Sequence, residues 1–120
     1  MIARVWYGAT PAQRRAEYLA YLERTGAREC RATPGNRGVE VLHRVVGDRA
    51  EFVFISYWDS LEVIKAFAGE DIERARYYPE DRAYLLDLPP TVSHYDVVGG
   101  RSFPPSGLPA GVTPRVLGLW

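Results

Sequence analysis

The sequence predicts an α+β domain of order β-α-β-β-α-β, with an antiparallel sheet covered by helices on one face. Three features predict it. Apolar alternation with period two runs through residues 2–8, 39–46, 51–58 and 91–98. Apolar residues at helical spacing, bracketed by start and stop signals, fill the two long intervals between these strands. A Gly47-Asp48 pair joins the middle two strands directly, as a tight hairpin.

In the first strand, Ala3, Val5 and Tyr7 share one face and Ile2, Arg4 and Trp6 the other. Thr10 suits a helix N-cap, Pro11 the first helical position, and Gln13 the matching place in a capping box. Ala16, Leu19, Ala20 and Leu22 form the apolar side of that helix, and Gly26 is its stop signal. Pro34-Gly35-Asn36-Arg37-Gly38 is a loop by turn chemistry. Residues 39–46 alternate Val39, Val41, His43 and Val45 against Glu40, Leu42, Arg44 and Val46. In the third strand, Phe52, Phe54 and Trp58 share one face and Val53, Ile55 and Tyr57 the other, so both faces need cover. Asp59 or Ser60 caps the second helix, which runs to Ala68 and stops at Gly69. Residues 70–78 are expected to form another helical piece, interrupted by Pro79 and followed by a short turn through Leu86. Pro89-Pro90 then breaks the chain before the last strand.

This order corresponds to a ferredoxin-like sheet, with right-handed crossovers placing the first and third strands in the centre. Both helices then lie on one face. Tyr7 is expected to face them, leaving Trp6, Val53, Ile55 and Tyr57 on the open side. An apolar open face needs a partner, and a homodimer joined through the open sheet faces is the simplest solution.

A length of 120 residues allows one domain. Fifteen basic residues balance fifteen acidic ones, which argues against nucleic-acid binding through bulk positive charge. Cys30 is the single cysteine, so an internal disulfide and a multi-cysteine metal site are both excluded. The longest uncharged apolar stretch, residues 52–58, is too short to cross a bilayer, and Arg4 interrupts any signal-peptide layout. A cytoplasmic protein that binds no membrane is expected. The composition changes near Gly99. Residues 99–120 hold five Gly, four Pro and no acidic residue, so they are expected to form a tail on a domain spanning 1–98.

No phosphate-binding glycine loop, zinc-protease motif or serine-hydrolase elbow is present. Ser93 and His94 point to opposite faces of a strand, which rules against a Ser-His-Asp triad. His94 and Asp96 share a face, so His94 is a candidate base with a carboxylate to raise its pKa, or part of a polar edge patch. His43 sits among valines and fits a packing role. The aromatic residues Tyr7, Trp58, Phe67, Tyr77 and Tyr78 either line a flat apolar pocket with phenols at its rim or fill a small core.

The opening MIARVWYG, the segment FVFISYWDSLEVIKAF and the closing TVSHYDVV resemble the antibiotic biosynthesis monooxygenase domain family, over about residues 1–98. The step Trp58-Asp59-Ser60 into the second helix is the most specific part. The resemblance implies a dimeric α/β barrel of ferredoxin-like subunits. Members include cofactor-free oxygenases of aromatic polyketides, heme-degrading enzymes and proteins of unknown role. The quinone-forming members carry a pocket tryptophan at the position of Trp58, an asparagine where Phe54 stands and a tyrosine where Ile64 stands. The heme-degrading members carry asparagine, tryptophan and histidine where this chain has Tyr7, Phe67 and Tyr77, so that mechanism is not expected. The resemblance therefore implies a cofactor-independent monooxygenase acting on an electron-rich aromatic or polyketide-like molecule between sheet and helices. Trp58, His94 and Tyr77 would be catalytic. Tyr7, Phe54, Ile64, Phe67 and Tyr78 would touch the small aromatic ligand, with no metal and no cofactor. A non-catalytic binding or accessory dimer, or a cyclase or isomerase on the same fold, is the alternative.

Overall fold

The computed structural model describes residues 1–100. The expected tail therefore falls, from residue 101 onward, outside the described residues. The strands are β1 (Ile2–Pro11), β2 (Asn36–Val46), β3 (Arg49–Trp58) and β4 (Ser93–Asp96). They form one antiparallel sheet of order β2-β3-β1-β4, so the first and third strands are central, as the crossover argument predicts. The helices are α1 (Arg15–Leu22), α2 (Arg28–Ala32), α3 (Leu61–Ala68) and the short α4 (Asp81–Tyr84).

Local chemistry explains the boundaries that hold. Gly47, at φ +62°, takes the first central position of the hairpin between β2 and β3. Ser60 caps α3, its Oγ accepting the amide of Val63 at 3.4 Å, and Gly69 ends the helix at φ +90°.

Four local expectations are corrected. β1 continues through Thr10 and Pro11, because these residues pair with Ala50 and Arg49 of β3. Thr10 Oγ1 donates to Pro11 O instead of capping a helix. Gly26 does not stop the first helix. A π-helical turn, Glu23–Ala27, carries α1 into α2 without a break in helical backbone. Burial of Ala27 and Cys30 in the core offsets the helical cost of glycine there, about 1 kcal/mol. Residues 70–78 are not helical. Arg4 of β1 donates to the carbonyls of Ile72 and Arg74, and Arg74 forms an isolated bridge with Thr91, so those carbonyls are unavailable to a helix.

The fourth correction concerns strand parity. The register pairs Trp6 with Phe54 and Arg4 with Ser56, so the even residues of β1 face the helices. Tyr7 pairs with Val53 and stands on the open face, 57% exposed, while Trp6 is buried. The core between sheet and helices holds Trp6, Tyr18, Tyr21, Leu22, Phe52, Phe54, Trp58 and Ile64. The open face carries Tyr7, Leu42, Val53, Ile55 and Tyr95, and Tyr7, Leu42 and Tyr95 are well exposed. No helix of the described residues is long and apolar enough to cross a membrane.

Candidate active site

β4 pairs with β1 only from Ile2 to Val5. Beyond Val5 the flank of β1 is free, and the irregular segment 69–92 occupies it, with the Leu86 amide donating to Ala9 O at 2.9 Å. Between this segment, the helical run and the sheet lies a cavity of about 50 Å3. Arg4, Trp6 and Phe54 form its sheet wall, Tyr18 and the π-helical residues Thr25 and Gly26 its helical wall. Phe67, Arg76, Tyr77, Tyr78 and Asp81 close it. π-turns inside α-helices are frequent at functional sites, and this one sets a buried glycine against the cavity.

The Trp6 indole lies over Gly8, and its Nε1 donates to the Tyr77 hydroxyl at 3.0 Å. That hydroxyl donates onward to Pro89 O at 2.5 Å, so Tyr77 ties the segment to the sheet. Arg76 reinforces the closure. It donates to Phe67 O at 2.8 Å, pairs with Glu29 at 2.7 Å, and lies over the rings of Phe67 and Tyr78. The Tyr78 hydroxyl is buried and closes no hydrogen bond of good geometry. Burial raises its pKa, opposed by Arg76 and reinforced by Glu29.

Asp81 was not singled out from the sequence. Its carboxylate is buried, and Oδ2 accepts the Tyr78 amide at 2.6 Å while the Asp81 amide donates to Tyr78 O. Burial raises its pKa, opposed by that backbone hydrogen bond. A carboxylate so placed at a cavity wall is a stronger base than a solvated one.

The sequence-predicted residues separate into groups. Phe54, Phe67, Tyr77 and Tyr78 come together at the cavity. Ile64 is fully buried in the core. Trp58 is fully buried with Nε1 donating to Ser56 Oγ at 2.8 Å, and it meets the cavity through its contact with Phe67, ring centroids 6.0 Å apart. Tyr7 lines a different feature, an open groove of about 600 Å3 with Leu42, Val53, Arg44, Glu51 and Pro89. Among the described residues no three His, Cys, Asp or Glu side chains cluster as a metal site requires.

His94 lies opposite Arg4 on β4, and Arg4 Nη1 donates to its Nε2 at 3.0 Å, which requires that nitrogen to be unprotonated. The expectation that Asp96 raises the His94 pKa is corrected. Burial and then Arg4 lower it, with Glu73 acting the other way. The unfolded chain therefore takes up a proton before the native state does. Stability is greatest above the ordinary histidine value of about 6.5 and falls as the pH drops through the lower native value. Thermal melts from pH 7.5 to 5 should show this loss, and His94→Gln should flatten it; an unchanged slope in the variant would rule out His94 as its source.

The cavity is about 50 Å3, a third of the ~150 Å3 that admits a benzene ring, so an aromatic ligand requires a wall to move. Segment 69–92 is the wall with fewest regular backbone hydrogen bonds.

A family model described as antibiotic biosynthesis monooxygenase matches residues 1–75. The match spans β1 through α3 and the first residues of segment 69–92, and stops just before Tyr77, Tyr78 and Asp81. A search of the curated proteins found no match.

Proposed function

The chain belongs to the antibiotic biosynthesis monooxygenase family, and on that premise we propose that it is a cofactor-independent monooxygenase of an electron-rich aromatic or polyketide-like molecule. The observation that carries this reading is the cavity itself. Aromatic walls from Trp6, Phe54 and Phe67 meet a buried carboxylate, Asp81, and a buried phenol, Tyr78.

The chemistry suits an anthrone-type substrate. Asp81 accepts a proton from the activated ring methylene, and the resulting enolate passes one electron to dioxygen. The radical pair couples to a peroxide anion, which takes the proton back from Asp81, and the resulting hydroperoxide loses water to leave a ketone. In balance, one methylene and one dioxygen become one carbonyl and one water. The aromatic walls orient the flat ring and exclude water, and Tyr78 donates a hydrogen bond to the oxyanion. Tyr77 holds Trp6 in place through its hydroxyl. Trp58 supports the wall through Phe67, and Ile64 supports it from the core.

Two copies joined through the open sheet face would cover Tyr7, Leu42 and Tyr95 and enclose the groove beside them. Family members are commonly dimeric. Equilibrium sedimentation should give twice the 13.5 kDa chain mass; a mass of one chain would contradict the pairing.

An oxygen electrode tests the activity. With 1,8-dihydroxyanthrone as substrate, one dioxygen should be consumed per anthrone converted to quinone, and chelator should not change the rate. Asp81→Asn should lower kcat by about 100-fold, the usual contribution of a positioned base. Uptake no faster than the protein-free control would rule out the proposal. Phe54 and Ile64 replace two polar residues of the quinone-forming members, which favours a second reading, a binding protein without turnover. Tight binding of the anthrone with no oxygen uptake identifies it.

A further inference from the structure

Arg4 is 4% exposed, and a buried guanidinium without a counter-charge is costly. Its described partners are the carbonyls of Ile72 and Arg74 and the Nε2 of His94. All three are neutral acceptors. They use three of the five N–H bonds of the guanidinium. Among the described residues no carboxylate forms an ion pair with it, although Asp81 lines the same cavity and Glu73 lies near His94. Arg4 is part of the cavity wall, in the row next to Trp6 and Phe54.

We propose that the ligand of this cavity carries an anionic oxygen, as an aryl carboxylate or an ionised acidic phenol, which pairs with Arg4 while its ring lies against Trp6 and Phe54. This rests on the cavity being the ligand site and adds the charge of the ligand to it. An anion there supplies the counter-charge that the described residues do not provide, and charge-assisted hydrogen bonds to guanidinium are about twice as strong as neutral ones. The Tyr78 hydroxyl on the same wall, buried beside Glu29, offers a further donor to such a ligand. The neutral His94 completes the arrangement. It holds Arg4 through an acceptor nitrogen without competing as a charge.

The test compares two probes on one ring system, 1,8-dihydroxyanthraquinone-3-carboxylate and its uncharged methyl ester, by calorimetric titration of the full chain at pH 7.5. The acid should bind at least about tenfold more tightly, the usual advantage of a hydrogen bond to a charged group. Arg4→Gln should abolish the difference by weakening the acid alone, and Arg4→Lys should keep part of it. Should Arg4→Gln fail to fold, the two probes on the native chain and on Arg4→Lys still decide. Equal binding of acid and ester overturns the charge assignment, leaves the cavity as a ligand site, and reduces Arg4 to a clamp on residues 72–74. Binding of neither overturns the assignment together with the cavity reading it rests on.

Discussion

Trp58→Ala is expected to lower stability by about 3–5 kcal/mol, the usual cost of emptying a buried tryptophan site. The side chain is fully buried at the end of β3, beside Ile64 and Phe67 in the core. Its Nε1 is the donor that satisfies Ser56 Oγ, itself 1% exposed. Truncation therefore leaves a void and takes this donor from the buried hydroxyl, which keeps only its interaction with Cys30. For a domain of this size the melting temperature should fall by more than about 10 °C, read by circular dichroism. Trp58→Phe fills most of the void and should recover much of the loss. The two variants separate packing from chemistry. Because Trp58 meets the cavity through Phe67, Trp58→Phe should keep most of its oxygen uptake per folded molecule. A well-folded Trp58→Phe without turnover would place Trp58 in the chemistry instead.

Gly8→Ala should be the next most damaging change, although the backbone of Gly8 suits alanine, since its φ is not positive. The obstacle is Trp6. A Cβ at position 8 would lie 2.1 Å from Trp6 Cη2 and 2.5 Å from Cζ2, both atoms of a rigid ring. That ring touches Tyr18 and Tyr77 and is held by its hydrogen bond to Tyr77, so it has nowhere cheap to go. Overpacking of this kind costs about 1–3 kcal/mol. Displacing the indole also breaks the tie to segment 69–92, so oxygen uptake should fall with stability. Trp6→Leu in the Gly8→Ala background removes the clash, and the pair should couple strongly in a double-mutant cycle. Independent, additive effects would show that the indole does not lie over Gly8 in solution.

The same two residues show what the sequence made legible. The strand order was readable because alternation, the Gly47 hairpin and right-handed crossovers leave few arrangements. The parity of β1 was not. Ile2, Arg4 and Trp6 are no more apolar than Ala3, Val5 and Tyr7, and it is the register with β3 that decides which set faces the helices. Gly8 was the available clue, because a glycine inside a strand marks a close approach, here by the ring two residues back on its own face. Phe67, Tyr77 and Tyr78 were legible because large aromatics near strand ends and helix faces converge on a small core, whereas Phe54 entered only through the family resemblance. Arg4 and Asp81 were missed for different reasons. A charged residue in a strand that alternates with apolar ones reads as solvated, and nothing local shows that Arg4 turns inward to take the carbonyls of residues 72 and 74. Asp81 sits in a Pro-interrupted segment without periodicity, and its burial follows from tertiary placement alone. The π-helical turn was hidden because Gly26 satisfies the stop rule, and only the packing of Ala27 and Cys30 overrides it.

The central claim is that the cavity between sheet and helices, and not the larger groove beside Tyr7, receives the aromatic ligand. A crystal structure of the protein with 1,8-dihydroxyanthraquinone tests it most directly. The ring should lie against Trp6, Phe54 and Phe67, with segment 69–92 displaced outward and an oxygen within hydrogen-bond distance of Tyr78. A ring seated instead against Tyr7, Leu42 and Val53, with the cavity unchanged, would contradict it.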